Sequence, residues 1–309
     1  MGTRITAIIC TFNRAGYLRT ALRSLVDQTL PPDQYEIIVV DNGSRDDTRR
    51  VVREEYKHVA NLRYLYDPIP GANRARNIGR RNAAGDYLAY LDDDVIACGE
   101  LLENTLKIFD TVEPKPGCVG GRVEPIWERP RPSWLSDKIV NYLAVVDHAD
   151  GPRALGADQW LVSANIAFPR NLLAAVGGFP EYLGRKGNNL LSMDENLLQD
   201  TLRNKGYTLY YDPNVAVRHH IQAARLTKRW FIRRMYWEGI SVATALIHQD
   251  APPAARRPRL AAYAVRKRLL SPRKVARLLR PTDDPDRFAA QCAAWIDAGY
   301  VAGLLCVAK

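Results

Sequence analysis

The chain has 309 residues, 47% of them hydrophobic and 25% charged, with a formal net charge of +10 at pH 7. That suits one catalytic domain with an appendage and excludes a disordered or fibrous chain. Five cysteines, Cys10, Cys98, Cys118, Cys292 and Cys306, are odd in number and lack metal-type spacing, which argues for a reducing compartment and against a disulfide framework.

In chain order, residues 5–10 read as a buried strand running into Thr11-Phe12-Asn13-Arg14. Leu18, Leu22, Leu25 and Val26 then recur at helix spacing. Residues 36–40 form a second strand, stopped by the turn cluster Asp41-Asn42-Gly43-Ser44. Val51, Val52 and Tyr56 suit a second helix, residues 62–66 a third strand, and residues 71–79 a loop entering a third helix. Residues 87–91 are a fourth strand, ended by three consecutive carboxylates, Asp92, Asp93 and Asp94. Strands alternating with helices imply an α/β fold with a mostly parallel central sheet flanked by helices. In such sheets ligands bind beyond the carboxyl ends of the strands, where Thr11, Asp41 and the triplet all fall. Burying the triplet without a counter-charge costs several kcal/mol per ion; a divalent cation is the simplest remedy, and a solvated acidic turn is the structural alternative.

The segments 10–14, 39–46, 71–77 and 91–94, with Gly177-Gly178-Phe179, the acidic pair Asp194-Glu195 and Val217-Arg218-His219, resemble those of a family 2 glycosyltransferase of the GT-A fold over residues 4–240. The resemblance implies a metal-dependent inverting transfer of a sugar from a nucleotide-diphosphate donor, UDP-sugar first, to an acceptor hydroxyl of a glycan, a lipid-linked acceptor or a small molecule. Carried over, Thr11, Asn13 and Arg14 lie at the nucleotide, Asp41 accepts from the base, Arg76 sits near the nucleotide and the acidic cluster, and Asp92 contacts the ribose. Asp93 supports the cluster, Asp94 binds Mn2+ or Mg2+, and His219 is a further metal or diphosphate contact. Structural alternatives stand beside these roles: Thr11 as a helix N-cap, Asp41 with Ser44 as an Asx turn, Arg74 and Arg76 as a solvated helix face, His219 as a satisfied core histidine.

In an inverting transfer the base and the metal work on opposite faces of the sugar. The chain offers that division at residues 92–94 and 194–195. The family usually shows Glu-Asp, with a leucine three residues after the Asp. Leu197 stands three residues after Asp194, so Asp194 is the expected base and Glu195 the second candidate. Ser192 also reads as an N-cap with Glu195 completing a capping box.

Trp127, Trp134 and Trp160 are candidates for stacking on sugar, or for packing. Asn165 resembles the family segment near the donor sugar, and Gly178 turns the chain under the acceptor. Residues 181–189, with Gly184 and Gly187, read as a loop that closes over substrate. The expected division is a catalytic domain over 1–225, with a nucleotide half at about 1–97 and an acceptor half at about 98–225, followed by a basic helical region over 226–309. Between residues 251 and 280 there are ten Lys or Arg and no Asp or Glu, interleaved with leucines, which suits an anionic membrane surface, an anionic acceptor or a solvated helix pair alike. Residues 288–307 form a further apolar helix, packed on the preceding segment or on a second copy of the chain. The start of the chain leads straight into the first strand without a signal-peptide pattern. No run of about 18 uncharged apolar residues occurs. These readings place the protein in the cytoplasm, at most peripheral on the membrane. A nucleotidyltransferase is the runner-up, disfavoured because no glycine-rich basic signature follows the first strand. A nucleic-acid-binding protein would use the basic tail but has no need of carboxylates at the sheet edge.

Overall fold

The computed structural model describes residues 2–187, 189–250, 257–265 and 281–306. Strands β1 (Ile5–Thr11), β2 (Tyr35–Asp41), β3 (Leu62–Tyr66) and β4 (Tyr87–Asp92) are parallel, in the spatial order β3-β2-β1-β4. Ile5, Ala7, Ile8 and Ile9 of β1 and Ile37, Ile38, Val39 and Val40 of β2 are all fully buried. A parallel strand covered on both faces has no polar side to present, which is why these runs do not alternate. Helices α1 (Ala15–Val26), α2 (Thr48–Arg50) and α3 (Ala72–Asn82) link the strands. The expected second helix is only this one turn, which widens into a π-helical turn over Val51–Glu55.

Beyond β4 the sheet becomes mixed. Strand β5 (Val95–Ala97) follows the triplet, α4 (Leu101–Thr111) follows β5, and β6 (Cys118–Trp127) comes next in the chain. Strand β8 (Asn165–Pro169) runs antiparallel to β4 and to β6, and α5 (Arg170–Ala175) continues from it. After α6 (Asp194–Asn204), β9 (Leu209–Ile221) pairs antiparallel with β5 and with the short β7 (Arg153–Ala154). On β9, Val215, Val217, His219 and Ile221 are buried, while Arg218 points to solvent. That is the alternation expected of a strand with one buried face.

The chain forms two compact units. The first comprises Met1–Ile126, Ala144–Glu181 and Asp194–His220, and contains the sheet. The second comprises Trp127–Leu143, Tyr182–Met193 and the residues from Ile221 on. Among the described residues its helices are α7 (Lys228–Asp250), α8 (Arg257–Ala264) and α9 (Pro285–Cys306). Ala243, Ile247, Ala261, Ala264, Val301 and Leu304 form a small core there. Helices α7 and α9 approach closely because both are notched: a methyl group at Gly239 would strike the Ile296 carbonyl, and one at Gly299 the Tyr236 carbonyl. Pro285–Leu305 is long and apolar enough to cross a membrane, with a mean hydropathy of 1.2 over its best window, despite Asp297. Asp297 interrupts it, so no uncharged run of about 18 residues occurs here either. With 44% of that window buried, the helix equally fits a packed core element.

Candidate functional site

Strand register assembles the site. In the ladders Thr11 stands opposite Asp41, and Cys10 opposite Asp92, so three strand ends present their polar residues on one line. Val95 pairs with His219, which places that histidine beside the last member of the triplet. The His220 N–H donates to the Asp94 carbonyl at 2.9 Å, extending the pairing one step past β5.

The loops after β1 and β2 are tied together by side chains. Asn13 sits at φ 54°, a left-handed conformation that asparagine tolerates better than most residues. Its carboxamide oxygen accepts from Arg45 N at 2.7 Å, and its own N–H donates to Ser44 Oγ at 2.9 Å. Asp46 caps α1 from outside by accepting from Ala15 N at 2.9 Å. Thr11 is therefore not the N-cap of α1; its hydroxyl donates to Asp93 Oδ2 at 2.7 Å. Asp41 is fully buried. Its Oδ1 accepts from Ser44 N at 2.8 Å, the Asx turn, and its Oδ2 from the Tyr64 hydroxyl at 2.6 Å. That engagement makes Asp41 a structural anchor of the β2 strand end, with both carboxylate oxygens already accepting. Asn42 adds a second tie, accepting from Gly71 N at 2.7 Å and donating to the Ile69 carbonyl at 2.7 Å.

The triplet carries counter-charge from its own chain. Arg14 donates to Asp93 at 2.9 Å and to Asp94 at 2.8 Å, and Arg76 lies 3.7 Å from Asp92. Burial works against the charge on Arg14, but Asp93 and Asp94 outweigh it and hold the guanidinium firmly protonated. Burial likewise pushes the Asp93 carboxyl up to about 6, against the pull of Arg14. Cys10, next to this cluster, is pushed up to about 12 by burial, so it stays a thiol and is no nucleophile. The sequence pointed to Arg14 only as a nucleotide contact. Its role as counter-ion to the triplet depends on the turn at Asn13, which spacing does not reveal.

Asp92, Asp94 and His219 each offer a ligand atom, all within 4.8 Å of one another. Asp94 and His219 are almost completely buried. His219 Nε2 lies 3.1 Å from Asp94 Oδ1, yet neither ring nitrogen makes a hydrogen bond among the described residues. A buried imidazole with both nitrogens unbonded is costly. It is not the satisfied core histidine of the structural alternative. Two carboxylates and an imidazole fit a divalent cation that accepts oxygen and nitrogen.

The second carboxylate group lies at the start of α6. Leu198 and Leu202 face the core, and Gln199 clamps the helix by donating to the Leu161 carbonyl at 2.9 Å and accepting from Leu161 N at 2.8 Å. Asp194 is buried and accepts from Arg76 Nη1 at 2.9 Å. Arg76 thus spans the two acidic groups, and its plane lies 5.3 Å over Phe179. Burial opposes its charge, but Asp194 and Asp92 keep it firmly protonated, so it is not a solvated surface arginine. Glu195 is half-buried. Burial, with Asp194 beside it, pushes its carboxyl up to about 8. The expected capping box does not form. Ser192 N donates to Ser241 Oγ at 3.0 Å and the Ser192 hydroxyl to Glu238 at 2.6 Å, both on α7.

Three further expected residues are placed by packing. Asn165 is buried and donates to the Val215 carbonyl at 2.7 Å, which ties β8 to β9. Gly178 has φ 77°, and a methyl there would meet Asn77 Oδ1. Asn77 holds this turn by accepting from Phe179 N at 3.0 Å and donating to its carbonyl at 2.8 Å. Trp134 packs edge-on against Phe231 and Phe288 within the second unit, at 5.4 and 4.9 Å between ring centres. Tyr64 was missed in the sequence, because a tyrosine on a strand carries no local signal, and Asn77 stood only as the end of the 71–77 segment, with no role of its own.

The family model for Glycosyl transferase family 2 matches residues 6–159. The chain belongs to this family and is a glycosyltransferase. It is 24% identical to a glucosyl-dolichyl phosphate glucuronosyltransferase of Haloferax volcanii over 248 residues, 77% of this chain and 76% of that protein. It spans less than half the length of two further relatives, 39% of one and 44% of the other. Among solved structures it is similar to a mannosyltransferase from Pyrobaculum calidifontis in complex with GDP-Man and Mn2+, with a TM-score of 0.63 at 21% identity over 100% of this chain and 89% of that one. S. aureus TarS 1–349 in complex with UDP-GlcNAc gives a TM-score of 0.57 at 18% identity over 98% and 91%. The fold is the GT-A fold, an α/β architecture with a mixed sheet flanked by helices.

Proposed function

We propose that this glycosyltransferase is metal-dependent and inverting, and that it moves a sugar from a nucleoside-diphosphate donor to an acceptor hydroxyl. The carrying observation is the pairing of a buried Asp92–Asp94–His219 donor set with a separate carboxylate pair at α6, spanned by Arg76. UDP-sugar is the first donor to test and GDP-mannose the second, since similar structures hold one of each kind. A cation held by Asp92, Asp94 and His219 would neutralise charge on the departing diphosphate; a histidine ligand favours Mn2+ over Mg2+. Thr11, Asn13 and Arg14 line the nucleotide edge. Arg14 keeps positive charge beside Asp93 and Asp94 while the leaving group gains negative charge.

For the base, our reading reverses the order expected from the sequence. Asp194 is spent on Arg76, whereas Glu195 carries a carboxyl raised toward neutrality, the range that suits proton transfer at physiological pH. Glu195 takes the acceptor proton, and Asp194 positions Arg76 and tunes Glu195. The acceptor is a lipid-linked sugar or glycan first, a small molecule second, in keeping with the dolichyl-linked acceptor in the name of the Haloferax volcanii relative. The experiment is nucleotide release from UDP-glucose, UDP-GlcNAc and GDP-mannose with Mn2+, with the product anomer read by NMR. Release with inverted stereochemistry supports the reading. Retention, or no release from any donor, refutes it.

We also propose that the enzyme works on an anionic cytoplasmic membrane surface. Most of the basic segment 251–280 lies outside the described residues; within it, α8 exposes Leu260 and Tyr263 and carries Arg257 and Arg259. Flotation with anionic vesicles that disappears in neutral vesicles, and weakens in 1 M salt where the Debye length is about 3 Å, is the expected result. Absence of flotation would leave a soluble enzyme.

A further inference from the structure

We infer, on the reading of Asp92, Asp94 and His219 as a cation site, that Arg14 selects the ion. By occupying one oxygen of Asp94 it confines that carboxylate to a single ligand atom, which favours a small six-coordinate ion such as Mn2+ over Ca2+. All of these groups belong to the first unit. The chain turns at Asp93 and Asp94 between β4 and β5, and the two carboxylates are tied differently. Asp93 has both oxygens engaged: Oδ1 accepts from Arg14 Nη1 at 2.9 Å, and Oδ2 accepts from the Thr11 hydroxyl at 2.7 Å. It is the internal partner of Arg14 and stands outside the Asp92–Asp94–His219 donor set. Asp94 Oδ2 accepts from the same Nη1 at 2.8 Å, while its Oδ1 lies 3.1 Å from His219 Nε2. One oxygen of Asp94 thus faces the arginine and the other faces the ring.

The neighbours of Arg14 fix where its side chain starts. Asn13, before it, is held in its left-handed turn by Ser44 and Arg45, and Ala15, after it, donates to Asp46. The Arg14 side chain is 27% exposed and lines a cavity of about 480 Å³ with Tyr17, Asp46 and His220. Shortening it enlarges an open cavity and leaves no sealed void. The number of oxygens on offer separates ions of equal charge. Ca2+ takes about six to eight oxygens, often both of one carboxylate, whereas the smaller Mg2+ keeps to octahedral geometry with few protein ligands. Mn2+ shares that octahedral preference and also accepts an imidazole. With Asp94 reduced to Oδ1, the donor set is poor in oxygen for Ca2+ and sufficient for Mn2+. Arg14 therefore has two effects that can be told apart. Its charge weakens every divalent cation alike, and its hydrogen bond to Oδ2 weakens Ca2+ more.

The test titrates Mn2+ and Ca2+ into the wild type, Arg14→Ala, Arg14→Lys and the Arg14→Ala/Asp93→Asn double variant. Calorimetry is run on the protein alone and with UDP or GDP present. Displacement of Mn2+ by Ca2+ is followed by electron paramagnetic resonance, and folding by circular dichroism. Arg14→Ala is expected to narrow the ratio of the Ca2+ to the Mn2+ dissociation constant at least about tenfold, the scale on which partners of metal ligands act. Arg14→Lys should recover much of the discrimination, because a single nitrogen makes both contacts and an ammonium can stand in its place. The double variant removes one charge of each sign, so Asp93 is not left buried without its partner. It should lose discrimination as Arg14→Ala does, and it decides the matter if Arg14→Ala does not fold. A ratio that stays at the wild-type value, with both ions tightened equally or not at all, overturns the inference and leaves the cation site standing. A wild type that binds no Mn2+ in either condition overturns the reading of the cation site, and the inference with it.

Discussion

In the proposed reaction the adjacent acids Glu195 and Asp194 take opposite tasks, and their surroundings differ accordingly. Asp194 faces a permanent cation in Arg76, while Glu195 is half-buried beside a negative neighbour. As a base, Glu195 works only when ionised, so transfer should rise with pH through about 8 and then level off. Replacing Asp194 with Asn removes the neighbouring charge and should move that limb to lower pH, with kcat reduced but not abolished. Glu195→Gln should cost about 10²- to 10⁴-fold in kcat with nucleotide binding intact. A pH–rate profile of the three proteins checks both statements; an unshifted limb in Asp194→Asn would count against the assignment. The same shift acts on stability. A carboxyl raised on folding favours the folded state most below its unfolded value, and that contribution fades as pH rises through about 8. At the other acidic group, His219→Ala should weaken Mn2+ binding at least about tenfold without unfolding the sheet, measured by calorimetry and circular dichroism.

At the scale of elements, the first four strands and the helices α1 and α3 were legible in the sequence for a clear reason. A strand buried on both faces must be a continuous apolar run, and a helix against it must repeat at 3.6, so residues 5–10, 36–40 and 87–91 announced themselves. The polar stops at Thr11, Asp41 and Asp92 were visible because nothing in a buried run excuses them. The side-chain ties that shape the site were not legible. Tyr64 reaching Asp41 depends on a parallel register between β2 and β3, and Asn77 holding Phe179 spans 102 residues of sequence. Ser192 misled in the other direction: its local pattern is a cap, and a contact with α7, 46 residues away, overrides it. The glycine notches of the α7–α9 pair likewise show only in three dimensions. Gly299→Ala pushes a methyl group into the Tyr236 carbonyl. It should destabilise the second unit by about 1–3 kcal/mol or more, seen as a lowered denaturation midpoint of that unit while the first keeps its nucleotide binding.

Over the whole molecule, charge and chemistry are segregated. Ten of the 44 basic residues lie between positions 251 and 280, which leaves 34 Lys and Arg against 34 Asp and Glu elsewhere. The rest of the chain is therefore neutral overall while it concentrates carboxylates at one sheet edge, a distribution that invites cations there and anions only through them. The central claim is that nucleotide binding depends on a divalent ion held at that edge. Calorimetric titration of UDP and GDP into the wild type and into Asp94→Ala, each in Mn2+ and in chelator, tests it most directly. The account predicts tight binding of one of the two nucleotides to the wild type in Mn2+, a loss of at least about tenfold in chelator, and no metal effect in Asp94→Ala. Equal affinity in Mn2+ and in chelator, or an unchanged metal effect in Asp94→Ala, would contradict it.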